Sequence, residues 1–328
     1  MDRPTFWKML KETFNQWSED KPFQLAASLA YYTLFSLAPL LLIAITIAGL
    51  VFGREATQQQ IINTFGGLVG PQGAQAIQGM LQGASQPKSG VLGTILGLVT
   101  LLIGAGGVVG QLQDSLNTIW GVAPKPGRGL LGMVQDRFVS LGMVLGVGFL
   151  LLVSLVVSTV LSAAIHFMSG VLPGGEALWH IVELVVSFGF VTLLFALIYK
   201  VLPAVAIAWR DVWVGAGMTA LLFMVGKLLI GLYLGRSGIG SAYGAAGSLV
   251  LVLVWVYYSG LIFFFGAEFT QVYANTYGTG VKPGKGAMVV EDKTGRAKRE
   301  VRGEEPPARR PRVEADGGAH PLSESNVP

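Results

Sequence analysis

The chain has 328 residues, of which 52% are hydrophobic and 13% are charged. An average soluble domain carries about 25% charged residues, so this chain has too little charge to cover a water-soluble surface. The formal net charge of +4 fits nucleic acid or an anionic membrane, and the distribution of the charges decides between them. The absence of cysteine excludes disulfides, zinc–thiolate sites, iron–sulfur clusters and thiol catalysis.

Six segments are apolar over the roughly 20 residues that a helix needs to cross the hydrocarbon of a bilayer. They cover residues 27–52, 91–110, 138–165, 178–201, 212–234 and 248–273. Pro39 lies inside the first segment, where a proline removes one backbone donor and is expected to kink the helix. The sequence therefore predicts an all-α polytopic membrane protein, with a bundle of six transmembrane helices over residues 27–277.

The orientation follows from the positive residues near the helix ends, which are retained in the cytoplasm. Lysine and arginine are concentrated in the N-terminus, the second and fourth loops and the start of the tail: Arg3, Lys8, Lys11, Lys21, Lys125, Arg128, Arg137, Lys200, Arg210, Lys282 and Lys285. The opposite side carries only Arg54, Lys88 and Arg236. Both termini are therefore expected in the cytoplasm.

An amphipathic helix is predicted within the cytoplasmic residues 1–26, before the first span. Its apolar side chains recur at helical spacing and are interleaved with charges: Phe6, Trp7, Leu10, Phe14 and Trp17. Two placements fit this pattern. The helix lies in the plane of the membrane interface, or it packs on the cytoplasmic side of the bundle.

Two further segments lie outside the predicted spans. The external residues 54–90 are rich in Gln and Gly with interspersed apolar positions, which predicts two short amphipathic helices broken at Gly70-Pro71. They lie on the outer leaflet or fold back into the bundle as a re-entrant element.

Residues 278–328 contain Lys, Arg, Glu, Pro and Gly with scarcely any aromatic residue, which predicts a disordered tail. Its mixed charges favour a solubilising tail or a contact with anionic lipid over a nucleic-acid site.

Three stretches together resemble the YihY/BrkB family. They read AASLAYYTLFSLAPL over residues 26–40, NTIWGV over residues 117–122 and YGAAGSLVLVLVWVYYSGLIFFFGAEFTQVYA over residues 243–274. The resemblance implies a bacterial inner-membrane protein with a role in transport or envelope lipids. An early name for the family was ribonuclease BN, so the residues must also be tested for a nuclease site.

Metal-dependent phosphodiester cleavage needs clustered His and carboxylate ligands that face water. The three histidines are His166, His180 and His320, and none has a second histidine at a neighbouring helical position. A phosphate loop is excluded at Gly226-Lys227, because position 221 is Leu and no Ser or Thr follows the lysine. We therefore expect no metal, no cofactor, no nucleic-acid partner and no enzymatic activity.

The candidate functional residues are polar groups in or next to spans, because an ionisable group at the membrane centre costs about 2.5–3.5 kcal/mol on insertion scales. They are Tyr31, Tyr32, Asp114, Glu183, Lys227 and Glu268. Lys227 and Glu183 are predicted at similar depths, either facing a polar cavity together or snorkelling to the interface. Tyr31 and Tyr32 fit an aromatic belt and also lie in the family-like first stretch.

Glu268, near the cytoplasmic end of the last span, has two interpretations. It forms an ion pair that fixes the helix register, near Asp114 and Arg137 if the second, third and sixth spans pack together. Alternatively, it is a gate carboxylate coupled to a proton or a substrate.

Three functions remain after these exclusions. The first is a transporter or flippase-like protein for an envelope lipid or amphiphile, with membrane lipids as partners. The second is a non-catalytic assembly or structural factor of the envelope. A membrane-embedded hydrolase is the third, and the lack of a paired nucleophile and base disfavours it.

Overall fold

The structure is a computed structural model that describes residues 6–84, 106–125, 142, 146, 175–236, 247–284 and 286–290; at some positions in these ranges, including Pro39 and Glu183, only the backbone is described. The helices are α1 (Phe6–Glu19), α2 (Pro22–Phe52), α3 (Arg54–Ala84), α4 (residues 106–119), α5 (Gly175–Val201), α6 (Trp209–Arg236) and α7 (Gly247–Thr276). The short strands are β1 (Val122–Pro124), β2 (Val205–Ala206), β3 (Lys282–Pro283) and β4 (Ala287–Val289).

Three of the helices within the described residues are long and apolar enough to cross a membrane. The segments are Leu184–Val201, Trp209–Tyr233 and Leu249–Thr276, which fall on the predicted fourth, fifth and sixth spans. The first predicted span lies within α2, which is one continuous helix across Pro39. The predicted spans at 91–110 and 138–165 lie largely outside the described residues. The fold is thus a helical membrane protein, and the count of six spans remains a prediction.

The α1–α2 elbow is the sharp turn at Asp20 and Lys21 between the first two helices. Lys21 adopts a left-handed conformation with φ 54°, and Pro22 begins α2, where its fixed φ suits the first helical turn. Below the elbow, Met9 of α1 packs with Phe269 and Val272 of α7. The predicted amphipathic helix is therefore present, and one of its faces lies against the bundle.

The segment after α2 differs from its prediction. The two short helices predicted with a break at Gly70-Pro71 are in fact the single 31-residue helix α3, which passes through Pro71. Proline removes only one intrahelical hydrogen bond, and packing beyond it compensates for the loss. That packing comes from Ile77 and Leu81, which are buried with Leu37 and Ile45 of α2. Since α3 packs on α2 and α7, the segment folds back onto the bundle.

The main core lies at one end of the bundle, where α4, the end of α5, the start of α6 and the end of α7 meet. Its largest fully buried side chains are Trp120, Tyr199 and Phe264, with Leu116, Ile119 and Leu202 around them. Helices α5, α6 and α7 run alternately up and down through this core. Phe195 contacts Phe223 across the α5–α6 pair, with ring centroids 5.6 Å apart.

The same end carries a strap, which we define as residues 278–284 with 286–290. Strand β4 pairs antiparallel with β1, so that Val122 lies opposite Val289, and β3 pairs antiparallel with β2. The prediction of disorder from residue 278 onward is therefore wrong for the strap. Its backbone is ordered because the loops after α4 and α5 supply strand partners, which composition does not show. Residues 291–328 lie outside the described residues.

Candidate functional site

Glu268 and Gln271 form a buried polar pair on α7, close to the strap end of the bundle. Their side chains are 1% and 2% exposed, and they lie one helical turn apart, so they share a face of the helix. Oε2 of Glu268 and Oε1 of Gln271 are both buried without a hydrogen-bond partner in the described part of the chain. Two donors nearby, Nε1 of Trp17 on α1 and Nδ2 of Asn275 one turn after Gln271, are also buried without a partner in the described residues. Buried polar atoms are nearly always hydrogen-bonded, so these groups together mark an unusual site.

The polar pair is covered by α1. Trp17 of α1 makes an edge contact with Phe265 of α7, with ring centroids 5.9 Å apart. Thr13, one turn before Trp17, is fully buried and donates a hydrogen bond of 2.9 Å to the carbonyl oxygen of Met9. Because α1 and α7 run antiparallel through these contacts, Thr13 lies at the level of Glu268.

Two carboxylates of α1 contribute negative charge at Glu268. Glu12 and Glu19 of α1 lie within electrostatic range of Glu268. The ion pair predicted for Glu268 is not formed by its Oε2 within the described part of the chain. Arg137, the basic residue considered for that pair, lies outside the described residues. The structure thus brings Glu268 together with further carboxylates instead.

A second polar network lies on the other side of α7 and is fully satisfied. The hydroxyl of Tyr199 donates a hydrogen bond of 2.7 Å to the carbonyl oxygen of Phe263 and lies 3.2 Å from Oγ1 of Thr219. Thr219 and Thr270 donate to the carbonyl oxygens of Gly215 and Gly266, each four residues earlier in the same helix. These hydroxyls have a structural role, because each is already paired.

Lys227 and Glu183 are not at the same depth. Tyr199 faces Thr219 and Phe195 faces Phe223, so the antiparallel register places residue 191 opposite Lys227. Residue 191 is eight positions from Glu183, or about 12 Å along a helix axis. The side chain of Glu183 lies outside the described residues, whereas that of Lys227 is exposed. The register therefore argues against the predicted pair.

The remaining candidates lie away from the polar pair. Asp114 is on the exposed side of α4, where partial desolvation by the protein raises the pKa of its carboxyl group above the ordinary value. Tyr31 and Tyr32 are exposed on α2, with ring centroids 5.7 Å apart. Tyr32 also packs over Gly107 of α4, where a β-carbon would come within 3.2 Å of its ring. The two tyrosines belong to the packing of α2 rather than to the polar site.

Gln271 and Thr13 were not among the residues singled out from the sequence. The sequence does contain a signal for Gln271, because an amide inside an apolar span and one turn from Glu268 indicates a polar face on that helix. Thr13 gave none, since a threonine in an amphipathic helix is ordinary. Only the packing of α1 on α7 shows that Thr13 is buried at the level of the carboxylate.

Metal ligation was tested on the described residues. They contain no group of three or more His, Asp or Glu side chains placed to hold a metal ion. His166 and His320 lie outside them, and for His180 only the backbone is described. The buried pair of Glu268 and Gln271 offers one carboxylate and one amide, whose oxygens are ligands for hard cations rather than for zinc.

The sequence comparisons agree with the architecture. The family described as virulence factor BrkB matches residues 13–290 of this chain. A UPF0761 membrane protein of Alcanivorax borkumensis is 27% identical over 81% of this chain and 59% of the relative. One of Alkalilimnicola ehrlichii is 30% identical over 87% and 64%, and one of Tolumonas auensis is 29% identical over 81% and 82%.

The chain covers less than two thirds of the length of most of these relatives, as for the 58% of a Pseudomonas aeruginosa protein. No solved structure matches the chain. The family match extends through the strap, for which the composition predicted disorder, and it ends at residue 290.

Proposed function

The chain belongs to the virulence factor BrkB family of membrane proteins, and from that premise we propose that it is a transporter or flippase-like protein for an envelope lipid or amphiphile. We place it in the bacterial inner membrane with both termini in the cytoplasm. In this proposal it is not an enzyme and binds no nucleic acid. Membrane lipids are its partners.

The observation that carries the proposal is the contrast between the two ends of the bundle. At the strap end α5, α6 and α7 pack into the main core. At the far end, α6 exposes apolar side chains along one broad face: Val225, Leu228, Leu229, Leu232 and Tyr233. The start of α5 does the same with Ile181, Leu184 and Val185. An apolar surface of this extent is suited to contact with lipid acyl chains, the apolar part of the proposed ligand.

Lys227 gives this apolar surface a charge. It is exposed on α6 beside Leu228, which is 68% exposed. A single cation among leucines complements an amphiphile with an apolar body and an anionic headgroup. Snorkelling of the lysine to the interface is compatible with this role, because headgroups lie at the interface.

Transport is tested by reconstituting the purified protein in liposomes that contain a fluorescent anionic lipid or a zwitterionic one. We expect the protein to speed the movement of the anionic lipid between leaflets, and Lys227→Gln to reduce that movement severalfold. Lys125→Gln is the matched control, because Lys125 is exposed just after β1 and outside the predicted spans. Wild-type protein that moves neither lipid would contradict the proposal.

The alternative is a non-catalytic assembly factor of the envelope. One observation favours it: Met288, Val289 and Val290 of the strap are apolar and exposed at the strap end. Such a surface fits a protein partner. A protein that moves no lipid but whose function in cells is lost on substitution of these three residues would support the alternative.

A further inference from the structure

We infer that Glu268 and Gln271 form a binding site for a small monovalent cation, either a proton or a sodium ion, between α7 and α1. The inference does not depend on lipid movement. It rests on burial, on unpartnered oxygen atoms and on the charge of the neighbouring helix.

The first step concerns the cost of the buried carboxylate. Glu268 is 1% exposed and its Oε2 has no partner in the described part of the chain. An ionised carboxylate in such a place is strongly unfavourable unless a positive charge accompanies it. A bound metal cation supplies that charge, and a bound proton removes the negative one. Either way the site takes up one unit of positive charge.

The second step concerns the amide of Gln271. Its Oε1 is also buried without a partner in the described residues, on the same face of α7 as Glu268. The oxygen accepts a hydrogen bond from a protonated carboxyl group, or it serves with the carboxylate as a ligand to a sodium ion. An apolar side chain at position 271 would do neither. The site therefore offers two oxygens that a donor or a cation would satisfy.

The third step concerns the surroundings. Glu12 and Glu19 of α1 add negative charge within electrostatic range of Glu268, which favours a cation over an anion or a neutral ligand. The covering helix lies at the right depth, because Thr13 of α1 lies between the contact of Trp17 with Phe265 and that of Met9 with Phe269.

Other titratable groups on the elements packed around this part of α7 must be separated from Glu268 in any pH experiment. They are Lys8, Lys11, Glu12, Glu19, Asp20, Lys21, Asp114, Arg210 and Asp211. All of them are retained in the variant Glu268→Gln, which preserves size and removes only the titration of position 268. The difference between wild type and this variant therefore isolates the site.

The experiment measures the thermal unfolding temperature of the purified full-length protein in detergent by intrinsic tryptophan fluorescence. Sodium chloride is compared with choline chloride at constant ionic strength, and each series is repeated across a range of pH. Glu55→Gln is the control, because Glu55 is an exposed carboxylate in the first turn of α3.

A sodium site raises the unfolding temperature of the wild type by about 3 °C or more in sodium relative to choline, and this rise is absent in Glu268→Gln. A proton site gives no sodium effect. The unfolding temperature of the wild type then falls relative to that of Glu268→Gln as the pH rises, since deprotonation leaves an uncompensated buried charge.

The inference is overturned if wild type and Glu268→Gln respond alike to sodium and to pH. Should Glu268→Gln fail to fold, Gln271→Met removes the second oxygen at nearly constant volume. We then expect the sodium response to weaken, or the pH-dependent loss of stability to become smaller, because the protonated carboxyl group has lost its hydrogen-bond acceptor. A Gln271→Met protein with the wild-type response to both would also overturn the inference.

Discussion

Thr219 of α6 lies over Gly266 of α7 so closely that a β-carbon on the glycine would overlap its hydroxyl oxygen. The relationship is reciprocal, because Thr270 of α7 lies over Gly215 of α6 in the same way. Each threonine also donates to the carbonyl oxygen of the glycine four residues before it. Small residues allow helix backbones to approach closely in a membrane, and here two Gly-x-x-x-Thr sequences interlock.

The interlock predicts that Gly215→Ala destabilises the protein. The added methyl group must displace Thr270, and overpacking of this kind costs about 1–3 kcal/mol, more than the helix propensity that alanine gains. Thermal unfolding in detergent measures the loss. Gly217→Ala is the control on the same helix, because its β-carbon would meet nothing within 4 Å. Equal stability of the two variants would show that the helices do not pack through Gly215.

The hydroxyl of Tyr199 predicts a second loss of stability. Tyr199→Phe removes the hydroxyl that donates to the carbonyl oxygen of Phe263 and contacts Thr219 in a fully buried place, which costs about 0.5–1.5 kcal/mol. Tyr233→Phe is the control, because Tyr233 is exposed on α6. Unfolding temperatures of the two variants that agree within error would contradict the buried hydrogen bond.

The strap predicts the effect of truncation. A chain that ends at Val290 keeps both strand pairs and is expected to unfold at the temperature of the full-length chain. A chain that ends at Gly280 loses β3 and β4, together with the hydrogen bond from the backbone of Val290 to Gly121. We expect it to be cut faster by protease near β1 and β2, because these segments lose their backbone partners. Identical cleavage of both chains would contradict a stabilising strap.

The predicted orientation can be tested by cysteine labelling, because the chain has no native cysteine. Glu55 is exposed in the first turn of α3, and Met288 is exposed in the strap. With both termini in the cytoplasm, a membrane-impermeant maleimide labels Glu55→Cys in intact cells and labels Met288→Cys only after permeabilisation. The reverse pattern would invert the topology.

Much of this protein follows from the sequence by itself. Long apolar segments must be helical in a membrane, because only a helix satisfies its own backbone hydrogen bonds in lipid. That reasoning located α2, α5, α6 and α7. It also identified the amphipathic α1, and it selected Glu268 as an ionisable residue inside a span.

Only the tertiary structure decided the rest. Local rules predicted a break in the helix at Gly70-Pro71, but α3 continues through Pro71. Beyond the proline, Ile77 and Leu81 pack against α2 and α7. The strap is ordered by strand partners more than 70 residues away, which composition cannot reveal. Whether Glu268 has a partner depends on which helix covers it. The helices follow from local physics, because each satisfies its own backbone hydrogen bonds. The side chains of Glu268 and Gln271 are buried because α1 packs over α7.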